Sequence, residues 1–390
     1  MQLTLRQQLT QFARLLQTEL FPVLEQATGP LDDTAQRLVA TLELIPLARF
    51  VPAARGWIGR PAKDRYALAC AFVAKAVYGF ALTSQLLQRL HQDAQLRRLC
   101  GWETERQIPH ESTFSRAFAG FAAMELPQFV HSALIADTQR DRLVGHIARD
   151  STAIEARERF PQTPPPAKAA KPAPKKRGAK PGPRGPHKRH KGGKPKALPP
   201  TGTRLHRQRS MTLDEMLAEL PRHCSLGVKT SGDGNQHYWR GYKLHLDVAD
   251  GQIPIRGILT AASLHDSQAA IPLATMTALR VTSLYDVMDS AYDATEIIEH
   301  SRALGHVPLV QANQRRRRRI PLQGMVPPRT FTWAEQDRFR ERTMIERVFA
   351  RLKDEFGGRQ IRVRGARKVM AHLMFAVLAL TADQILKLAP

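Results

Sequence analysis

The stretch GYKLHLDVADGQIPIRGIL, residues 241–259, decides the fold of the second part of the chain. Apolar and polar residues alternate in it from Gly241 to Val248, which is the pattern of a half-buried strand. The turn at Asp250-Gly251 then leads into a second apolar run, residues 253–259. The stretch therefore predicts a β-hairpin.

Further strands and helices are predicted around this hairpin. Apolar runs at residues 143–148, 283–288 and 306–313 predict strands, and short helices are predicted at 214–220 and 267–279. Asp293-Ala-Thr-Glu296 has the spacing of a capping box, which predicts a helix that continues to about Leu304. The order indicates a mixed sheet flanked by helices, with Asp150 ending the first strand and Asp289 the fourth.

The first part of the chain, residues 1 to about 140, is predicted to be an α-helical domain for DNA binding or dimerisation. It includes a helix, a connector and a second helix capped by Ser112 or Thr113. Such a pair can enter a major groove with Arg116 near its leading end. The alternative, helices that pack on each other for dimerisation, stays open.

The formal net charge of +24 indicates a polyanionic partner, and nucleic acid is favoured over a membrane surface. Residues 161–210 hold 15 Lys or Arg, 12 Pro and no Asp or Glu. This composition predicts a disordered basic insertion that adds salt-sensitive affinity for phosphates. The alternative is an insertion that is merely tolerated.

Three features of the sequence indicate a cytoplasmic protein, expected near the nucleoid. The amino terminus has no apolar signal core, and the apolar stretch 369–388 is interrupted by polar residues, as suits a buried helix. The three cysteines are far apart, which indicates a reducing compartment.

Three acidic residues, Asp150, Asp289 and Glu346, are the candidate catalytic residues. Carboxylates on two strand ends and a later helix can hold two divalent metal ions for phosphodiester chemistry. Each aspartate alone is more often a cap or a surface charge. Asp286, which is predicted to lie in mid-strand, is the reserve for Asp289.

The segment around Glu346 predicts a helix with a polar edge. Phe339, Arg342, Glu346 and Lys353 share one face at 100° per residue, beside an apolar arc. The alternative is an ordinary Arg to Glu pair on a solvated helix.

The spacing Phe339-x2-Arg342-x3-Glu346-x6-Lys353 resembles the Tyr/Arg/Glu/Lys signature of bacterial insertion-sequence DDE transposases. The resemblance extends over residues 140–390, and GRPAKDRYALACAFVAKAVYG and IPHESTFSRAF resemble the helical domain of that family. Further motifs match it in order: Asp150-Ser-Thr, Gly241-Tyr-Lys-Leu-His245, His265-Asp266-Ser267, Asp289-Ser-Ala-Tyr292-Asp293 and Arg362-Val-Arg-Gly.

The resemblance implies a ribonuclease-H-like catalytic fold that cuts double-stranded DNA at element ends and joins the 3′ hydroxyl to a target. It implies that the three acids hold two Mg²⁺ ions, with Mn²⁺ able to substitute, and that Arg342 and Lys353 hold phosphates. Phe339 departs from the expected tyrosine and cannot hydrogen-bond a phosphate. A homodimer is expected because two element ends must be paired.

Other cations are expected to contact DNA. Arg315, Arg316 and Arg317, in the run that ends at Arg319, follow the last predicted strand and are favoured as DNA contacts over a solvated loop. Lys243 and His245 are weaker candidates, because structural roles suit them as well.

These expectations give an α+β chain: a helical domain at 1–140, a catalytic domain at 141–160 and 211–390, and the insertion between its two parts. Two other functions stay open. One is a non-catalytic DNA-binding protein derived from a transposase, and the other is a nuclease of the same fold that does not join strands.

Overall fold

A computed structural model describes residues 4–51, 64–158, 202–230, 235–313 and 330–388. The run Arg315–Arg319 and most of the predicted insertion lie outside these ranges. The end of the predicted insertion lies inside them, and there residues Arg204–Gln208 form a helix capped by the Thr203 side chain.

The first part of the described chain is helical, as predicted. Its α-helices are α1 (Leu5–Leu15), α2 (Phe21–Thr28), α3 (Asp33–Leu44), α4 (Arg65–Val77), α5 (Thr83–Gln92), α6 (Ala94–Leu99), α7 (Glu111–Ala123) and α8 (Leu126–Gln139). The predicted cap of α7 is wrong: the His110 side chain, not Ser112 or Thr113, accepts from the backbone N–H of Ser112. Proline at position 109 keeps residue 108 extended, and the helix begins two residues later.

A mixed sheet follows the helical part. Its strands are β1 (Leu143–Glu155), β2 (Ser225–Thr230), β3 (Gln236–Ala249), β4 (Ile253–Ala261), β5 (Thr282–Met288) and β6 (Val307–Val310). The order is β2-β3-β1-β5-β6, and β4 pairs with β3 in the predicted hairpin. β1 runs antiparallel to β3 and parallel to β5.

Two details of the strand prediction are corrected. Strand β1 continues to Glu155, so Asp150 lies inside this strand rather than at its end. Strand β2 was not predicted, and β5 is therefore the fifth strand and not the fourth. Leu226 and Val228 of β2 are both about half exposed, so this edge strand lacks the buried face that apolar periodicity detects.

The remaining helices flank the sheet. They are α9 (Arg204–Gln208), α10 (Leu213–Glu219), α11 (Ala270–Ala278), α12 (Thr295–Ala303), α13 (Trp333–Arg340), α14 (Met344–Asp354) and α15 (Ala366–Leu388). The predicted capping box at α12 does not form, since the Asp293 carboxylate instead accepts from the backbone N–H of Asn313. This contact ties the segment after β6 to the segment after β5.

Helix α15 joins the helical part to the sheet. Its apolar residues pack against α3, α4, α7, α8 and β4, and belong to one hydrophobic cluster with residues of β1 and β3. The helix is long and apolar enough to cross a membrane, but 83% of its most apolar window is buried inside the protein. It is therefore the core helix that the sequence predicts.

A buried ion pair connects the three central strands. Arg149 on β1 donates two hydrogen bonds, of 2.8 and 2.7 Å, to the carboxylate of Asp247 on β3. Its guanidinium lies 3.8 Å from Asp286 on β5. Burial disfavours the charged guanidinium, but Asp247 and Asp286 outweigh burial and raise the pKa of Arg149. The three side chains are at most 2% exposed.

Asp286 has further partners that hold it in this network. Ser301 donates to its Oδ2 atom at 2.5 Å, and the ring of His306 lies 3.1 Å from the same atom. Burial would raise the pKa of Asp286, but Arg149 and His306 lower it. Asp286, the reserve candidate for the site, is therefore a buried structural residue.

We predict that Arg149→Met destabilises the protein by about 3–5 kcal/mol, because it leaves two buried carboxylates without their cation. Urea unfolding at pH 7 measures the loss. The control is Arg49→Ala, which removes an exposed ion pair with Asp137 and should cost less than about 1 kcal/mol. Equal losses in the two variants would show that the buried network does not stabilise the sheet.

Candidate active site

Asp150 and Asp289 lie beside each other on neighbouring parallel strands. The strand register pairs Arg149 with Met288, so the next residues, Asp150 on β1 and Asp289 after β5, are at the same level. Neighbouring strands are about 4.8 Å apart. Asp289 also caps the turn that follows β5, because its side chain accepts from the backbone N–H of Ala291 at 2.8 Å.

The two carboxylates are in an environment that disfavours negative charge. The pKa of Asp150 is raised to about 7, mainly by burial and in smaller part by the charges of Asp289 and Asp266, against a hydrogen bond from the Ser151 N–H. Burial also raises the pKa of Asp289. Of the neighbouring cations, Arg342 lowers the pKa of both aspartates. The site has more buried negative charge than these neighbours balance.

Asp266 is a third carboxylate of this site, and the sequence analysis did not select it. Lys243 donates to its Oδ1 atom at 2.8 Å. Burial would raise the pKa of Asp266, but His245, Lys243 and a hydrogen bond from Ser151 lower it. Its signal in the sequence was the motif His265-Asp266-Ser267, which was quoted as part of the resemblance without a role for the aspartate.

Glu346 lies on α14 and faces Arg342. Arg342 Nη1 is 3.3 Å from Glu346 Oε1, and the glutamate side chain is 55% exposed. The buried face of α14, which includes Ile345, Val348 and Leu352, packs in the hydrophobic core as the apolar arc predicts. Arg342 also lowers the pKa of Asp150 and of Asp289 through its charge, so one guanidinium acts on the glutamate and on both aspartates.

The predicted polar edge is not one continuous helix. The chain forms α13, a 3-10 turn at Glu341–Thr343 and then α14, so Phe339 precedes the turn and Arg342 is part of it. Phe339 packs against Phe331 with ring centroids 5.3 Å apart. Lys353, two turns beyond Glu346, donates to Thr152 Oγ1 at 2.7 Å and thereby lies against β1 two residues after Asp150.

The residues fit a divalent metal site in part. Asp150 and Asp289 offer the oxygen ligands that Mg²⁺ prefers, in a setting that a cation would stabilise. Glu346 does not join them in this arrangement, because it pairs with Arg342. In the described part of the chain, no group of three His, Cys, Asp or Glu side chains is placed to hold a metal ion.

Two family models match the chain. One, described as "Transposase DDE domain", matches residues 206–382, and the other, described as "Transposase domain (DUF772)", matches residues 25–119. Together they cover more than half of the sequence. The chain is an insertion-sequence DDE transposase. Its mixed sheet flanked by helices agrees with a ribonuclease-H-like catalytic domain.

The transposase has no match among curated proteins. Neither family match includes residues 120–205, where most of the basic segment lies. The match to the DDE domain includes Asp289 and Glu346 but begins after Asp150.

Two of the predicted DNA contacts in the transposase need correction. His245 is only 1% exposed and faces Thr260 Oγ1 at 2.9 Å, and burial lowers its pKa to about 4. Such a residue is neutral at pH 7 and does not reach DNA. Lys243 donates to Asp266 and to the carbonyl oxygen of Leu264, so it positions Asp266, and one of its three donors is left for a phosphate.

The structure describes one of the remaining predicted DNA contacts and leaves three outside its described ranges. Arg116 is exposed on the first turns of α7, with its Nε donating to the Ser112 carbonyl, and stays a candidate. Arg315, Arg316 and Arg317 lie outside the described residues.

We predict that the titration of Asp150 lowers the stability of the metal-free transposase as the pH rises from about 4 to 7. The folded state holds the Asp150 proton up to a pKa of about 7, whereas the unfolded state releases it near the ordinary aspartate pKa of 3.8. The stabilisation is complete below the lower value and lost above the higher one. Thermal unfolding in a chelating buffer measures this dependence.

The matched variant is Asp150→Asn, which cannot titrate. It should unfold at a higher temperature than the unmodified chain at pH 8 and at a similar temperature at pH 4. Asp141→Asn, at an exposed position before β1, is the control. It should leave the difference in unfolding temperature between pH 4 and pH 8 as it is in the unmodified chain. A less stable Asp150→Asn at pH 8 would contradict the assignment of excess negative charge to this site.

Proposed function

We propose that this transposase binds the ends of its element, cleaves their phosphodiester bonds with Mg²⁺ and transfers the 3′ end to target DNA. The observation that carries the proposal is that Asp150 on β1 and Asp289 directly after β5 each follow the paired residues Arg149 and Met288 of adjacent parallel strands, with a raised pKa at both aspartates. Partly buried carboxylates without enough compensating cations favour a divalent ion at that place.

Asp150, Asp289 and Glu346 would hold the metal ions. When bound, two Mg²⁺ ions supply an activated oxygen nucleophile and stabilise the leaving oxygen. The contribution of the protein is to fix the two aspartates on the sheet and to carry the glutamate on α14, whose apolar face is buried in the core. Asp266, which Lys243 holds in place, adds to the negative potential that attracts cations.

In this proposal the Arg342 guanidinium has two alternative partners, the carboxylates of the site and a phosphate of the bound DNA. Without DNA the guanidinium pairs with Glu346 and lowers the pKa of both aspartates. A phosphate of the bound strand would compete for the guanidinium, because arginine binds phosphate in a bidentate manner. The exchange would release Glu346 toward the aspartates at the moment when DNA is bound.

Lys353 would hold a phosphate next to the scissile bond. Burial lowers its pKa, and its ammonium group lies at Thr152 Oγ1, on the same strand as Asp150. An ammonium group serves as a point contact to a phosphate oxygen. We also propose that the transposase acts as a homodimer at the nucleoid, since a transfer reaction pairs two ends.

Two other functions have less support. A non-catalytic DNA-binding descendant would not need acids at all three positions, and all three are present. A nuclease without strand transfer would have the same site. Only a strand-transfer assay with a pre-cut 3′ end separates that nuclease from the transposase.

We predict that Asp150→Ala, Asp289→Ala and Glu346→Gln each reduce Mg²⁺-dependent cleavage of element-end DNA by at least about 100-fold, because each removes a metal ligand. Binding of the same DNA should change by less than about threefold. Gel assays of cleavage and of binding measure the two effects on the same preparations.

The matched control is Glu341→Gln, which changes an exposed acid on the turn before α14 and should leave cleavage unchanged. Full cleavage activity in Glu346→Gln would show that Glu346 is not a ligand at the proposed site. Loss of DNA binding in the aspartate variants, with cleavage per bound complex intact, would contradict the catalytic role of both aspartates.

A further inference from the structure

A cationic cleft lies between the helical part and the segment before α15. Its volume is about 440 Å³, and none of the proposed metal ligands lines it. The charged residues that line it are Lys75 on α4, Glu111 on α7, Arg157 after β1, and Arg362, Arg364 and Lys368 at the start of α15 and before it. Five of these six residues are cations.

The cations at the rim of the cleft are not balanced by the protein. Arg157, Arg364 and Lys368 are exposed, and none of them forms an ion pair with a carboxylate in the described part of the chain. Among the described residues, Arg362 donates to the side-chain oxygen of Gln360 at 3.3 Å and forms no ion pair. Like charges held close together without a counterion favour binding of a polyanion.

Lys75 lies at the base of the cleft and gives a second, independent indication of an anion site. Its side chain is buried, with 6% of the residue exposed, and its Nζ donates to the carbonyl oxygen of Ala81 at 3.1 Å. No carboxylate of the described residues pairs with it. An ammonium group has three donors, so two are left for a ligand. A buried cation without a counterion is costly, and an anion in the cleft would reduce that cost.

Burial affects the titration of the two basic groups at the base in the same direction. It lowers the pKa of Lys75 to about 8 and that of His372 to about 3. His372 is therefore neutral at pH 7, and its Nε2 faces the carbonyl oxygen of Gly357. Lys75 is the one of the two that supplies positive charge.

The cleft is connected to the proposed catalytic site through β1. Asp150 and Glu155 are five residues apart on this strand, which is roughly 17 Å at 3.3 Å per residue. Ala156, the next residue, forms a β-bridge with Ile361, and this bridge places Arg157 beside Arg362. The separation corresponds to about five base pairs of duplex DNA at 3.4 Å each.

We propose that this cleft binds backbone phosphates of the DNA whose scissile bond lies at Asp150 and Asp289, and so forms a second anchor about half a helical turn away. The inference rests on the proposed function, because it uses the same DNA. Its ligand chemistry is the phosphodiester group, held by Arg157, Arg362, Arg364 and Lys368 at the rim and by Lys75 at the base.

The test uses the full-length chain and a fluorescent duplex of arbitrary sequence, without divalent ions. Its dissociation constant is measured by anisotropy between 50 and 300 mM NaCl. Arg364→Ala combined with Lys368→Ala should weaken binding at 100 mM by roughly tenfold or more. It should also reduce the slope of log K against log salt by about 2, because each phosphate contact contributes about 0.9.

The matched control is Arg14→Ala combined with Arg302→Ala. It removes the same charge from exposed positions on α1 and α12, outside the cleft. Its slope should change by less than about 0.5. An equal change in the two double variants would show a general charge effect and overturn the proposal, and so would an unchanged slope in the cleft variant.

Lys75→Met provides an independent variant, because it keeps a long unbranched side chain, one atom shorter, and removes the buried charge. It should fold, unfold at the same or a higher temperature, and bind the duplex less tightly. Wild-type affinity in a folded Lys75→Met would show that the base of the cleft is not a phosphate site.

Different results would contradict the proposed function and the proposal that the cleft binds DNA. If the wild type shows no metal-dependent cleavage while the salt slope falls in the cleft variant, the cleft stands and the catalytic proposal fails. If cleavage occurs and the slope stays unchanged, the cleft proposal fails alone. A third result would also overturn the cleft proposal. If millimolar inorganic phosphate competes but the cleft variants do not change duplex binding, the cleft is a site for a small anion.

Discussion

The buried contact of Arg149 with Asp247 and Asp286 is the constraint on which the active site depends. A guanidinium in the interior must be paired, and its two carboxylates lie on the two strands that flank β1. The pairing fixes the register of the three strands. Since Asp150 follows Arg149 and Asp289 comes three residues after Asp286, that register also brings the two aspartates together.

The two sides of this arrangement differ in how their carboxylates are paired. In the interior, Arg149 and the His306 ring satisfy Asp247 and Asp286. At the proposed site, Asp150, Asp289 and Asp266 share Lys243 and Arg342, and the pKa of Asp150 rises to about 7. The sheet therefore pairs its structural carboxylates with a buried guanidinium, although burial still raises the pKa of Asp247, and among the described residues it leaves Asp150 and Asp289 without a directly paired cation where a metal ion is expected.

Local patterns in the sequence predicted the hairpin at Asp250-Gly251, the helical first part and the buried C-terminal helix. The limits of prediction lie in contacts between distant residues. Arg149 and Asp247 are 98 positions apart, and no spacing rule connects them. The role of Asp266 likewise depends on Lys243 from another element. Strand β2 was missed because its apolar residues are exposed, and the turn before α14 was missed because helical periodicity does not show a break of three residues.

The most direct measurement is anomalous diffraction from crystals of the full-length protein soaked in Mn²⁺, with and without a bound DNA end. We expect a peak within about 2.3 Å of carboxylate oxygens from both Asp150 and Asp289, with Glu346 turned away from Arg342 in the DNA complex. A peak that contacts neither aspartate, or an ion held by Glu346 alone, would contradict the account.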